Sequence, residues 1–150
     1  MRAVRVASAF AAVAVAAAAA AVLGPPAVAA ADVYATFKLP SGNIGCGYSY
    51  FAGERPYLRC EIISRLRPMP SKPRGCTEGV WGRAVGMEDW SRAGGLCIGD
   101  TVMEPSAPVL PYGKNWSRGG FTCTSRTTGL TCRNRAGHGW FLSRERSYLF

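Results

Sequence analysis

Apolar and polar residues alternate with a period of two through most of the chain after residue 32. This alternation is typical of strands that bury one face, and clusters of Gly, Pro, Ser and Asn separate the segments. No long amphipathic helix is visible, so the pattern predicts an all-β fold: a small antiparallel sandwich, barrel or meander. The predicted strands cover residues 34–39, 43–50, 57–63, 79–86, 96–102, 140–143 and 147–150, with a hairpin over 121–134 and one helical turn or a loop over 87–95.

Two segments, residues 44–62 and 121–134, repeat one order of features. Each has an apolar residue two positions before a cysteine, then a turn with glycine, then Leu-x-Cys and a charged residue. A turn centred on Gly53 sets two cysteines opposite each other, and a loop at Thr127 and Thr128 does the same in the second segment. Directly opposed residues of antiparallel strands lie about 4.5–5.5 Å apart, which a disulfide can span. The fold is therefore expected to contain two similar hairpins, with the disulfides Cys46–Cys60 and Cys123–Cys132.

Cys76 and Cys97 are the two cysteines that remain, so they are predicted to form the third disulfide. An even number of cysteines in a short exported chain indicates a disulfide framework. This third bridge closes a loop of about 20 residues and contributes roughly 3 kcal/mol in the chain-entropy model. A zinc site is the alternative, but the chain has no Cys-x-x-Cys pair and a single histidine. We predict no metal site and no cofactor.

The first 31 residues have the composition of a secretory signal peptide. Arg2 and Arg5 precede an uncharged apolar run over residues 9–23, Gly-Pro-Pro follows, and Ala27-Val28-Ala29 is a small-x-small cleavage site. An uncleaved transmembrane anchor is the alternative, which the weak apolarity of alanine disfavours. Cleavage near Ala29 to Ala31 leaves a single β domain over residues 32–150, either free outside the cell or associated with the cell wall. We expect no stable membrane span after cleavage.

Residues 32–150 are basic, with 16 lysines and arginines against 9 acidic residues, and 13 of the 16 are arginine. A positive surface favours anionic partners, but it also serves solubility alone. The candidate partners are an anionic wall polymer, a lipid head group or an acidic protein. We predict no specific nucleic-acid partner, and the sequence leaves the oligomeric state open.

The only histidine, His138, lies between Gly137 and Gly139. A catalytic histidine needs a nucleophile and usually an orienting carboxylate, and no Gly-x-Ser-x-Gly motif is present. The glycines indicate a tight bend, so a structural role is favoured and no catalytic residue is predicted. Arginines and an aromatic residue nearby suit an anionic ligand. The candidate binding residues are Arg133, Arg135, His138, Trp140 and Arg144.

Several motifs follow one another in a fixed order. The first is Phe-x-x-Pro-Ser-Gly-Asn-Ile-x-Cys from Phe37, and later ones are Gly-x-x-Cys-x-Asn, Gly-His-Gly-aromatic and Ser-Arg. Together they resemble a family of small secreted bacterial domains of unknown function, over residues 37–150. At Trp140 this chain departs from the more usual phenylalanine. The resemblance implies secretion and paired cysteines, assigns no activity, and groups the Gly-His-Gly turn with Ser143 and Arg144 in one recurring element.

Three functions remain open at this point. The first is a non-catalytic module that binds an anionic partner outside the cell or at its envelope. The second is a small secreted hydrolase acting on wall glycan or peptide, and the third is a secreted inhibitor or toxin-like protein. An enzyme is disfavoured because no motif brings converging polar groups to a cleft.

Overall fold

The computed structural model describes residues 31–150, so all of the predicted signal peptide except its last residue lies outside the described residues. Ten antiparallel strands form two five-stranded sheets, and each sheet is a meander in which strands follow sequence order. The first sheet contains β1 (Val33–Lys38), β2 (Ile44–Tyr50), β3 (Tyr57–Ile62), β4 (Val80–Glu88) and β5 (Gly94–Ile98). The second contains β6 (Asn115–Arg118), β7 (Phe121–Arg126), β8 (Gly129–Arg133), β9 (Gly139–Leu142) and β10 (Ser147–Leu149). The predicted all-β fold is confirmed.

The two sheets pack face to face around one apolar core. Aromatic rings cross between them: Phe37 of the first sheet lies 4.9 Å from Trp116 of the second, measured between ring centroids. Tyr48 contacts both Trp116 and Phe121, at 5.9 and 6.1 Å. Of the predicted sandwich, barrel and meander, the molecule is a sandwich of two meanders.

Each sheet contains one buried disulfide between directly paired strands. Cys46 pairs with Cys60 across β2 and β3, and Cys123 pairs with Cys132 across β7 and β8. In both pairs the Cα atoms are 4.1 Å apart. The third bridge, Cys76–Cys97, ties the segment before β4 to β5. The first two pairs and their hairpin registers are those that the alternation predicts, and the third pair is the one predicted by elimination.

Three local predictions are wrong. The prediction missed β6, because Asn115–Arg118 is a short, mostly exposed edge strand with little apolar signal. The helical turn or loop predicted over residues 87–95 is a loop over residues 89–93 alone, because Met87 and Glu88 extend β4 and Gly94 and Gly95 begin β5. The strand predicted over residues 96–102 ends at Ile98, after which the chain leaves the edge of the sheet.

Residues 99–105, which we call the strap, cross the outer face of the first sheet. Met103 lies over Gly45 and Val102 over Gly47, both on β2. A Cβ atom on Gly45 would come within 2.8 Å of the Met103 sulfur, and one on Gly47 within 3.0 Å of a Val102 methyl group. Glycine at both positions gives the strap room to lie close, so it covers the middle of this outer face.

Polar contacts from β3 fix the strap in place. The Arg59 guanidinium donates to the Asp100 carboxylate at 2.7 Å and to the Asp100 carbonyl at 2.6 Å. The Glu61 carboxylate accepts from the Val102 N–H at 2.8 Å and from the Thr101 hydroxyl at 2.7 Å. The hydrogen bond from Arg59, together with its charge, lowers the pKa of the Asp100 carboxyl below its ordinary value.

Candidate functional site

Positive charge is concentrated in the second sheet. Residues 115–150 contain six arginines and one carboxylate, Glu145. Residues 32–114 contain ten basic and eight acidic residues and are close to neutral. Most of the excess charge of the described chain therefore belongs to β6 to β10 and their turns.

The outer face of the second sheet is rich in hydroxyl groups. In β7 the side chains of Phe121, Cys123 and Ser125 are buried, whereas the alternate residues point outward. The paired residues of the neighbouring strands share this alternation. The central outward side chains are those of Ser117, Thr122, Thr124 and Thr131, and the hydroxyls of Ser117 and Thr122 are 3.1 Å apart.

Three aromatic rings adjoin the hydroxyl groups. Phe141 pairs with Tyr148 across β9 and β10, and their rings stack with centroids 5.3 Å apart and planes 20° apart. The Phe150 ring lies 6.1 Å from that of Tyr148. Phe141 is buried, whereas Tyr148 is 50% exposed. The sheet thus presents the Tyr148 ring to solvent, with the Phe141 ring stacked beside it.

Two arginines flank these rings. The Arg133 guanidinium lies 4.3 Å from the Phe150 centroid, and that of Arg146 lies 5.4 Å from Phe141 and 6.0 Å from Tyr148. Neither guanidinium is within 4.0 Å of a carboxylate in the part of the chain that the structure describes. We call this surface the arginine–aromatic face, made of Arg133, Phe141, Arg146, Tyr148 and Phe150. Its two positive charges remain available to an anionic ligand.

A polar cleft of about 280 Å³ opens at one end of the sandwich. It lies between the turn before β2, the β7–β8 loop and the β9–β10 turn. Arg126 and Arg144 line it, together with the carboxylate of Glu145 and several hydroxyl groups. The lining hydroxyls are those of Ser41, Tyr112, Thr127, Thr128 and Ser143.

The β9–β10 turn supplies an arginine to each surface. Buried Ser143 accepts from the backbone N–H groups of Glu145 at 3.2 Å and Arg146 at 3.1 Å, and donates to the Arg146 carbonyl at 3.1 Å. These bonds fold the chain tightly, so Arg144 lines the cleft while Arg146 reaches the arginine–aromatic face. Ser143 is thus a structural residue of the turn.

The other wall of the cleft depends on a buried asparagine. Asn43 donates to the Ser64 hydroxyl and accepts from the Ser64 N–H, both at 3.1 Å. Gly42 before it has φ 67°, a conformation that favours glycine. The Pro-Ser-Gly-Asn motif therefore makes the turn that carries Ser41 into the cleft.

A second buried asparagine, which the sequence reasoning did not single out, organises the opposite end of the sandwich. The Asn134 amide donates to the backbone carbonyls of Glu88 at 2.9 Å and Ser91 at 2.7 Å. Its oxygen accepts from the N–H groups of Ala136 and His138, both at 3.1 Å. Asn134 thus joins the two sheets through their turns. The signal was its place in the Gly-x-x-Cys-x-Asn motif, just before Gly-His-Gly.

His138 belongs to this structural turn. Its backbone N–H and carbonyl both bond to Asn134, and within residues 31–150 its ring has no hydrogen-bond partner. Gly137 has φ 82°, whereas a Cβ atom on Gly139 would overlap the carbonyl oxygen of Cys132. The two glycines are therefore required for different reasons, one conformational and one steric.

The five candidate binding residues do not form one site. Trp140 is fully buried in the core, so its prediction as a binding residue is wrong: alternation could not tell which face of β9 points inward. The Arg135 guanidinium lies 3.8 Å from the carboxylate of Asp89, in the turn after β4. His138 precedes β9 and Arg144 follows it, so they lie at opposite ends of that strand. Arg133 is on the arginine–aromatic face and Arg144 in the polar cleft.

Residues 31–150 contain no cluster of His, Cys, Asp and Glu suited to a metal ion, and no helical segment with the length and hydropathy of a membrane span. No curated protein matches the chain, and no solved structure does. A family model described as a family of unknown function, DUF6636, matches residues 14–150. The chain therefore belongs to the DUF6636 family, whose function is unknown.

Proposed function

We propose that this protein is a non-catalytic binding module that holds an anionic partner outside the cell on its second sheet. The observation that carries the proposal is the division of charge, with six arginines against one carboxylate in residues 115–150. Such a surface attracts polyanions and raises their local concentration.

The second sheet also has the more accessible outer face, which supports placing the binding surface there. The strap covers the middle of the outer face of the first sheet. Arg59 on that face is already paired with the carboxylates of Asp100 and Glu61. The second sheet presents exposed hydroxyl groups and the guanidinium groups of Arg133 and Arg146, which lie beyond 4.0 Å from every carboxylate of residues 31–150. An anionic partner gains more from arginines whose charge no carboxylate already neutralises.

Secretion is part of the proposal. Three disulfides persist in oxidising compartments and are rare in reducing ones. The predicted signal peptide over residues 1–31 agrees with this. Wall polymers, lipid head groups and acidic proteins outside the cell all present the required negative charge.

A binding module fits the site better than a hydrolase does. Glycosidases commonly need two carboxylates about 5–9.5 Å apart. The described residues that line the polar cleft include one, Glu145. Ser143 is fully engaged in its turn, and His138 makes its hydrogen bonds through the backbone.

A salt titration tests the proposal. Binding of the disulfide-bonded protein to a phosphate- or carboxylate-bearing wall polymer is measured by calorimetry between about 0.1 and 1 M salt, where the Debye length falls from about 10 to 3 Å. Affinity is expected to fall about tenfold or more. The variant R126Q/R133Q/R146Q should bind about tenfold more weakly than the unmodified protein at the lower salt concentration.

The matched control removes the same charge from residues 32–114, the part of the chain that contains the first sheet. K72Q/R74Q/R92Q changes three exposed cations and should alter affinity by less than about twofold. Salt-independent binding, or an equal loss in both triple variants, would contradict the proposal.

A further inference from the structure

We infer that the anionic partner is an acidic polysaccharide and that Tyr148 is the surface on which one of its sugar rings stacks. This inference rests on the proposed function and names its ligand class. The chemistry required is a polymer with many hydroxyl groups, planar apolar ring faces and regularly spaced carboxylate, sulfate or phosphate groups.

The Tyr148 ring is held ready for stacking. Its 50% exposure contrasts with the 8% of Phe141, the ring stacked beside it against one of its two faces. Backbone pairing of β10 with β9 fixes both residues in register. A ring supported in this way loses little freedom when a ligand binds, and its apolar face suits the C–H face of a sugar.

Guanidinium groups lie on either side of this ring. The Arg146 guanidinium is 6.0 Å from the Tyr148 ring centroid. The Arg133 guanidinium lies over the Phe150 ring, whose centroid is 6.1 Å from that of Tyr148. Contact with aromatic rings restrains both guanidinium groups. Each retains N–H donors that can bind an acidic group through two parallel hydrogen bonds. A sugar on Tyr148 would therefore have cations near its acidic substituents.

Hydroxyl groups extend the surface across the sheet. Thr124, Thr131, Phe141 and Tyr148 occupy one cross-strand row on β7 to β10. With neighbouring strands about 4.8 Å apart, the row spans about 14 Å, longer than a single sugar ring. Threonine hydroxyls both donate and accept hydrogen bonds, as the hydroxyls of a polysaccharide do. A lipid surface would make use of the charge but would leave this row without a role.

The test separates stacking from charge. Binding of polygalacturonate, a carboxylated polysaccharide, is compared with binding of polyphosphate, a polyanion without sugar rings. Tyr148→Ala is expected to weaken polygalacturonate binding about five- to tenfold and polyphosphate binding by less than about twofold. Tyr148→Phe should retain the affinity for both. Tyr34→Ala is the matched control, because Tyr34 is 62% exposed on the edge strand β1 of the first sheet.

Tyr148→Leu keeps bulk over Phe141 but removes the flat ring, so it provides the same test if the alanine variant unfolds. Equal losses for both polymers, or no loss for either, would overturn the stacking role of Tyr148. Tighter binding to single-stranded DNA or anionic vesicles than to polygalacturonate would overturn the ligand class but leave the proposed function standing. If the unmodified protein bound none of these anions, the proposed function itself would fail.

Discussion

At the scale of single residues, the Gly137-His138-Gly139 turn is a structural element whose two glycines solve different problems. Gly137 adopts a positive φ with open space around its Cα, whereas Gly139 lies against the backbone of Cys132. The single histidine owes its position to Asn134, which bonds to its backbone. An isolated histidine flanked by glycines in the sequence is therefore explained here without catalysis.

Alanine substitutions at these three positions should lower the free energy of unfolding by different amounts. G139A should cost about 2–3 kcal/mol because its Cβ would overlap a backbone carbonyl that can move little. G137A should cost about 1 kcal/mol for the left-handed conformation, and H138A less than about 0.5 kcal/mol. Denaturant unfolding of the oxidised proteins measures all three. A larger loss for H138A than for G139A would contradict the structural explanation of the turn.

At the scale of elements, the strap gives the first sheet an outer layer that the second sheet lacks. Gly45 and Gly47 let it approach β2, while Arg59 and Glu61 of β3 hold it by hydrogen bonds. Of these two residues of β3, Arg59 holds the strap through an exposed carboxylate, that of Asp100, whereas the Glu61 carboxylate is buried. The attachment of the strap should therefore respond to pH through Asp100.

Acid should weaken this attachment. The hydrogen bond from Arg59 lowers the pKa of Asp100 below 3.8. The stabilisation from this ion pair is therefore complete above pH 3.8 and is lost as the pH falls through the lowered pKa. Carboxyl NMR should show Asp100 titrating below 3.8 in the unmodified protein and nearer 3.8 in R59Q. The control R92Q, an exposed arginine elsewhere in the first sheet's half, should leave the titration unchanged. An identical titration in R59Q would contradict the pairing.

The sequence predicts strand pairing correctly where the paired strands are close along the chain. The turn centred on Gly53 and the loop at Thr127 and Thr128 fix the register of their hairpins, and the two cysteine pairs follow from that register. It failed where distant segments decide the outcome. Nothing local shows that residues 99–105 leave the sheet to cross β2, and β6 is recognisable as a strand only through its pairing with β7.

The candidate site was predicted less well than the fold, for the same reason. Charge indicates Arg133 and Arg144 as candidates, but only the folded sheet separates them onto two surfaces. The sequence pattern does not indicate Tyr148 and Arg146, because their importance depends on the pairing of β9 with β10 and on the stacking of Phe141. Alternation predicts that a strand has two faces without stating which one is buried.

At the scale of the whole molecule, the two meanders have the same strand order, but their outer faces differ in charge and in how far they are covered. Both have five strands and one buried disulfide between adjacent strands. The first is nearly neutral and covered by the strap, whereas the second is strongly basic and open. A polyanion approaching the sandwich would therefore be drawn to one side of it.

The most direct test of this account is NMR mapping of the binding surface. An anionic polysaccharide is added to ¹⁵N-labelled, disulfide-bonded protein at low salt, and the shifts of backbone amides are followed. We expect the largest changes on the outer face of the second sheet, at Thr131, Arg133, Arg146 and Tyr148, with little change at Gly47 beneath the strap. Changes centred on the first sheet, or none at saturating polymer, would contradict it.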